Sequence, residues 1–238
     1  MTIQQMLLCI GSLVTDGLLV YLDGSTSSYP GSGTVWNDIS GNGRNFNLLN
    51  APTFTSDYFT MNGTTQGFDI GSAITTVTDS FTYSMIAMPT ATHGIDAEST
   101  SGVTGTSGQR YLVGANQGGA SAAGAGISCG TNGVSVYEHA DGYMPPLLVH
   151  SATISSTTPT LITVVYLNKR PYLYLNDVFA RQGLTSPRTA VNMRGDTLGY
   201  GPYGYFQGRI YTCQMYSKAL SISEISQNYE FFKTRYAI

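Results

Sequence analysis

Two short stretches hold most of the side chains that could do chemistry. The first is Tyr137-Glu138-His139-Ala140-Asp141-Gly142-Tyr143, where carboxylates, an imidazole and phenol rings crowd together. Glu138, His139 and Asp141 form the single acid–imidazole cluster of the chain. A pair of catalytic carboxylates must flank one bond, about 5 Å apart in a retaining glycoside hydrolase. This cluster stands just past a strand end, where successive side chains need not share a face, so it reads as an exposed hairpin end and no catalytic residue is assigned. The second stretch, Tyr200-Gly-Pro-Tyr203-Gly-Tyr205-Phe206, displays rings on a glycine-rich turn. Ring faces beside a few convergent polar groups suit a polyhydroxylated ligand such as a sugar. Tyr137, His139, Asp141 and Tyr143, with Tyr200, Tyr203 and Tyr205, are the candidate ligand-binding residues.

Other chemistries find no footing. G-x-S-x-G does not occur in a strand–turn–helix setting. His93, His139 and His150 are dispersed and lack zincin spacing, and the glycine-rich run 114–126 lacks the lysine and helix of a phosphate loop. Asp23, Asp69, Asp141 and Asp196 have the oxygen chemistry for a structural calcium, but none stands in a D-x-D-x-D array. No cofactor is expected, and calcium is left open.

The chain has 238 residues, enough for one large β domain. Charged residues make up 11%, against roughly 25% in an average protein. The net charge of −3 offers no footprint for nucleic acid. No stretch approaches the ~18 apolar residues of a membrane span. Three cysteines (Cys9, Cys129 and Cys213) at wide spacing are neither a disulfide framework nor a zinc site, and they point to a reducing compartment. Met6–Val14 is apolar, but its first basic neighbour is Arg44, so no signal peptide is expected.

The elements that must position these residues are short β-rich runs separated by Gly, Ser, Asn and Pro, the pattern of a sandwich. Ser80–Met88 is the clearest core strand, with Phe81, Tyr83, Met85 and Ala87 on one face and an opposite face that turns from polar to apolar. His93–Gln109 is a long loop, and Ala115–Gly126, nearly all small residues, reads as a second one. At the end the period changes. Ser221 and Glu224 have capping-box spacing, and Ile222, Ile225, Tyr229 and Phe232 recur helically, predicting a helix over about 222–234. Residues 1–15 form an apolar arm suited to docking on a neighbouring molecule, and 16–238 form the domain.

Three stretches go beyond generic β sequence. They are LLVYLDGSTSSYPGSGTVWNDISGNGRNFNL (Leu18–Leu48), Gly133–Pro187 with its LITVVYLNKRPYLYLND hairpin, and GYGPYGYFQGRIYTCQMYSKALSISEI (Gly199–Ile225). Together they resemble the concanavalin A-like, laminin-G-type jelly roll in the form found in bacteriophage virion proteins. The resemblance implies an all-β, two-sheet antiparallel sandwich closed by one short helix. It also implies a non-enzymatic virion surface protein, on capsid or tail, that is made in the host cytoplasm. Such a protein assembles with itself and other virion proteins and is able to hold host-surface carbohydrate. The alternative is a secreted bacterial carbohydrate-binding or adhesion module. In the motif residues themselves, Gly41 and Gly43 permit the tight turn, Trp36 plugs the sandwich edge and Asp38 caps the turn, so the recognisable residues are scaffold.

Overall fold

The computed structural model describes residues 11–25 and 27–238. Two twisted sheets face each other across one hydrophobic core. The first runs, in spatial order, Val178–Gln182, Arg170–Leu175, Thr160–Leu167, Phe81–Pro89, Gln207–Tyr216, Tyr58–Asn62 and Thr53–Thr55, with Leu18–Asp23 also pairing on Gln207–Tyr216. The second runs Pro146–His150, Gly133–His139, Ala123–Gly130, Tyr111–Val113, Thr197–Leu198, Gly67–Asp69, Phe46–Leu49 and Val35–Trp36. Val191–Arg194 joins it by a short parallel pairing to Ala123–Gly130. Every other named pairing is antiparallel, as the resemblance implied.

The central strand Phe81–Pro89 shows how one sequence serves two layers. Phe81, Tyr83, Met85 and Ala87 enter the core between the sheets. On the outer face Thr82 Oγ1 donates to the Lys218 carbonyl at 2.9 Å and Ser84 meets Thr163 at 3.2 Å. Ile86 and Met88 continue that outer face under the C-terminal helix. Both halves of this face are covered: Thr82 lies beneath residues 218–220 and the start of the helix, whose Ile225 packs on the flanking Val165 and Tyr216.

That helix, α1, spans Ile222–Tyr236 and starts with the predicted capping box. The Ser221 side chain accepts from the Glu224 amide, and Glu224 accepts from the Ser221 amide at 2.8 Å. The buried stripe is Ile225, Asn228, Phe232 and Tyr236 rather than the expected Ile222, Ile225, Tyr229 and Phe232. Ile222 is 67% exposed, on the side of the first turn that faces away from the buried stripe. The helix also organises the chain's start. Leu13 and Val14 are buried against it, and the Val14 amide donates to Asn228 Oδ1 at 2.9 Å. Residues 13–14 thus belong to the domain and not to an arm, which corrects the boundary at 15; residues 1–10 lie outside the described residues.

The opening motif works as scaffold. Trp36 is fully buried and donates its indole N–H to the Asp23 carbonyl at 2.9 Å. Asp38 accepts from the amides of Tyr21, Ser40 and Arg44, each at 2.9 Å, and so ties the turn to the first strand. Gly41 and Gly43 adopt φ of 92° and 69°, in the left-handed region.

Ala115–Gly126 departs from its loop reading. Ala123–Gly130 is a buried strand pairing with both Tyr111–Val113 and Gly133–His139. Its small residues have a packing cause. A Cβ on Gly124 or Gly126 would collide with the backbone of Asn116 or Ala115, because residues 115–118 lie flat on the strand. Cys129 and Cys213 are free thiols in the core. Among the described residues no helix is long and apolar enough to cross a membrane.

Candidate functional site

The register of Gly133–His139 decides which of its side chains can meet a ligand. Ala125 pairs with Glu138 and Gly126 with Tyr137. Ala125, Ile127, Val134 and Val136 belong to the core, so by strand alternation Glu138 points inward and Tyr137 and His139 outward.

Pointing outward does not leave Tyr137 free. The long loop 93–109 lies over it, with Gly105 so close to the ring that a Cβ there would collide. Tyr137 is fully buried and its hydroxyl donates to Asp96 Oδ2 at 2.5 Å. The loop is pinned at its far side by Glu98, which takes two bonds from Arg181, at 2.6 and 2.7 Å, and one from the Val149 amide. Tyr143 is buried as well, beneath the Arg188 guanidinium 4.1 Å from its ring centre. Neither tyrosine offers a ring face to a ligand, which corrects both assignments.

The exposed hairpin end expected at Glu138 is likewise corrected. Its carboxylate is sealed in the sandwich and accepts from Ser186 at 2.5 Å, Tyr166 at 3.2 Å and Tyr143 at 3.3 Å. Burial pushes its pKa up to about 7, against the opposing pull of these hydroxyls and of Lys169.

Three predicted residues do come together at the surface. Tyr200–Gly201 and Gly204–Tyr205 pair as a small hairpin that holds Tyr203 outward, 40% exposed. The Tyr203 ring lies 5.8 Å from the His139 ring, so the two stretches, far apart in sequence, meet in one aromatic contact. The Ala115 carbonyl fixes His139 Nδ1 at 2.8 Å. Next to His139 stands exposed Asp141, whose carboxylate accepts from the Gln117 side-chain amide. Backbone bonds from Gly118 to His139 and from Asp141 to Gly119 bind these segments into one surface. Tyr200 and Tyr205 stack on each other at 5.8 Å behind the tip, and the Tyr200 hydroxyl donates to Asp69 at 2.9 Å; they support the platform from behind. The result is a shallow surface with a ring, an imidazole, a carboxylate and an amide. Gln117 was not singled out from sequence, because nothing in a run of small residues shows that it crosses to Asp141.

The four aspartates considered for calcium are occupied by protein donors. Asp23 pairs with Arg235 at 2.9 Å, Asp196 with Arg194 at 3.1 Å, Asp69 takes Tyr200, and Asp141 takes Gln117. Among the described residues no group of three or more His, Cys, Asp or Glu side chains is placed to hold a metal ion.

A second concavity escaped the sequence reading. Val165, Leu167, Tyr172, Tyr174, Leu220 and Ile222 line a groove of about 340 Å³ beside the start of α1. Its signal was the Tyr-x-Tyr alternation in Arg170–Leu175, which sets both rings on one face. Ser221 is its one small polar residue, too little to orient a ligand rich in hydroxyls.

No protein-family model matches the chain, and no curated protein does. Solved structures do. Domain 4 of the extracellular arabinanase AbnA from Geobacillus stearothermophilus, in complex with arabinotriose, aligns over 89% of this chain and 97% of its own, with 13% identity and TM-score 0.56. The binding domain of Paraclostridial Mosquitocidal Protein 1 aligns over 90% of this chain and 52% of its own, with 16% identity and TM-score 0.62. Trypanosoma rangeli sialidase in complex with sialic acid aligns over 90% of this chain and 32% of its own, with 16% identity and TM-score 0.57. The chain thus spans about half or less of the length of the last two. None of the three is a virion protein, so the phage form of the resemblance finds no counterpart among them. At these identities the likeness is one of fold: the chain is an all-β, two-sheet antiparallel sandwich of the concanavalin A-like type, closed by one C-terminal helix.

Proposed function

We propose that this chain is a non-catalytic carbohydrate-binding domain whose contact surface is the Tyr203–His139 platform with Gln117 and Asp141. The observation that carries the reading is the ring contact between Tyr203 and His139. It joins two distant segments into one exposed surface of the kind sugars use, a ring face beside amide and carboxylate groups. A fold neighbour aligned over nearly its whole length, solved in complex with arabinotriose, supports it by analogy of architecture.

The non-catalytic part rests on Glu138. It is the carboxyl group whose pKa would suit a general acid, yet it is fully buried and its partners are three hydroxyls rather than a second carboxylate.

The test is calorimetric titration of the purified chain against a panel of oligosaccharides, arabino-oligosaccharides among them. Tyr203→Ala is expected to weaken binding roughly tenfold, the scale of one lost ring contact. Tyr137→Phe, which keeps the buried ring, is expected to leave affinity unchanged. Equal affinity of Tyr203→Ala and the parent chain, or no binding across the panel, defeats the reading.

A further inference from the structure

A third concavity, of about 470 Å³, lies at the side of the sandwich where the outermost strands of the two sheets, Pro146–His150 and Val178–Gln182, come together. Ile95, Asp96 and Glu98, from the start of the loop 93–109, form one wall, and His150, Ser151 and Arg181 form the other. None of these residues belongs to the Tyr203–His139 platform.

The charged side chains of this cleft are anchored through one atom and left open at another. Asp96 Oδ2 accepts from Tyr137 at 2.5 Å and from Gln109 at 3.2 Å, whereas Oδ1 has no partner among the described residues. Arg181 spends Nε and Nη2 on Glu98, at 2.6 and 2.7 Å, and its Nη1 is unpaired among the described residues. The Val149 amide fixes Glu98 in turn at 2.9 Å. The ring of half-buried His150 and the hydroxyl of exposed Ser151 make no hydrogen bond among the described residues. Burial and the nearby Arg181 charge lower the pKa of His150, and its neutral imidazole offers one donor and one acceptor.

A fixed acceptor and a fixed donor in one cleft match a group that donates and accepts at once, which is a hydroxyl. An anion only accepts and would leave Asp96 unmatched; a cation only donates and would leave Arg181 unmatched. The carboxylate and the guanidinium are held before a ligand arrives, which lowers the ordering cost of binding. Ile95, 41% exposed, adds an apolar surface for the C–H edge of a ring.

We propose that this cleft is a second carbohydrate site, where Asp96 Oδ1, Arg181 Nη1 and the His150 ring bond the hydroxyls of one sugar unit. The inference rests on the carbohydrate-binding reading above and adds a site that shares no residue with the platform.

The test is a titration of the isotope-labelled chain with methyl glycosides of arabinose, galactose and glucose. It is followed by heteronuclear NMR in the parent, in Tyr203→Ala and in His150→Ala. Amide shifts at residues 95–98 and 149–151 are expected to saturate in the millimolar range and to persist in Tyr203→Ala. His150→Ala is expected to weaken the cleft by roughly three- to tenfold, the scale of one or two hydrogen bonds. Unchanged far-UV circular dichroism shows that this variant is folded. Cleft shifts beside a silent platform support the cleft and defeat the platform reading. Shifts confined to the platform, cleft shifts lost with Tyr203→Ala, or cleft shifts indifferent to His150→Ala overturn the inference and leave carbohydrate binding standing. No shift at either place with any of the sugars overturns the carbohydrate reading itself.

Discussion

Glu138 and His93 are titratable groups that the core holds in their neutral forms, and they pull stability in opposite directions with pH. Burial raises Glu138 to about 7 from its ordinary value of 4.5, so the folded state takes up a proton that the unfolded chain releases. Its contribution is full below about pH 4.5 and is lost as pH rises to about 7, amounting to roughly 3 kcal/mol. Burial lowers His93 to about 4, so its contribution grows as pH rises from about 4 to 6.5. A comparison of variants separates the two. Glu138→Gln should be relatively more stable against the parent at pH 8 than at pH 5, by up to a few kcal/mol, as read from urea unfolding at each pH. A difference independent of pH would mean that Glu138 is not the group titrating. At this scale the sequence told scaffold from surface only in part. Trp36 and Asp38 were readable because a turn dictates their chemistry. Tyr137 and Tyr143 were not, because strand alternation says which side a ring faces but not whether a distant loop such as 93–109 lies on top of it.

Between elements, contact distance matters more than residue type, and the strand Ala123–Gly130 shows this most sharply. Gly124 and Gly126 let residues 115–118 lie directly on the strand, and that segment carries Gln117 to Asp141. Gly126→Ala should therefore do two things at once. It should destabilise the chain by about 1–3 kcal/mol, the usual cost of overpacking, and it should weaken sugar binding by displacing Gln117. Denaturant titration and calorimetry on one preparation check both; loss of stability with binding intact would show that the segment is not part of the site. Small residues carry no hydrophobic period, so in sequence the run has the look of a loop, whereas here their smallness is itself the packing requirement. The helix was readable for the opposite reason, since its capping box is local. Ser221→Ala should cost about 1 kcal/mol, seen as a fall in melting temperature of roughly 3 °C. Only the placement of its buried stripe differs, because which side of a helix meets the sheet is a tertiary fact.

Taken as a whole, the molecule is held by a core that is continuous across both sheets, and Trp36 sits where they meet. Its indole is 4.9 Å from Phe59 of one sheet and 5.0 Å from Phe68 of the other. The helix stands on the opposite face of the first sheet, in clusters with Ile86, Met88 and Val165. Ile86 and Met88 share one strand with core residues Met85 and Ala87, so loosening of the helix is transmitted to the sandwich through a single backbone. The overall architecture was legible in the sequence because the paired turns and alternating strands recur along most of its length. The docking of Leu13 and Val14 was not, since an apolar run before the first strand suits a neighbouring molecule as well as the chain's own helix. Replacing both with Ala empties the space beside Ile225 and Phe232, at a cost of about 3 kcal/mol and roughly 9 °C in melting temperature. Trp36 fluorescence reports the seam between the sheets, and far-UV circular dichroism reports the strands and helix together. The two melting curves should coincide in the parent chain and shift together in Leu13→Ala/Val14→Ala. A variant whose dichroism changes before its tryptophan signal would show the helix and N-terminal segment separating as a unit, and a sandwich that stands without them.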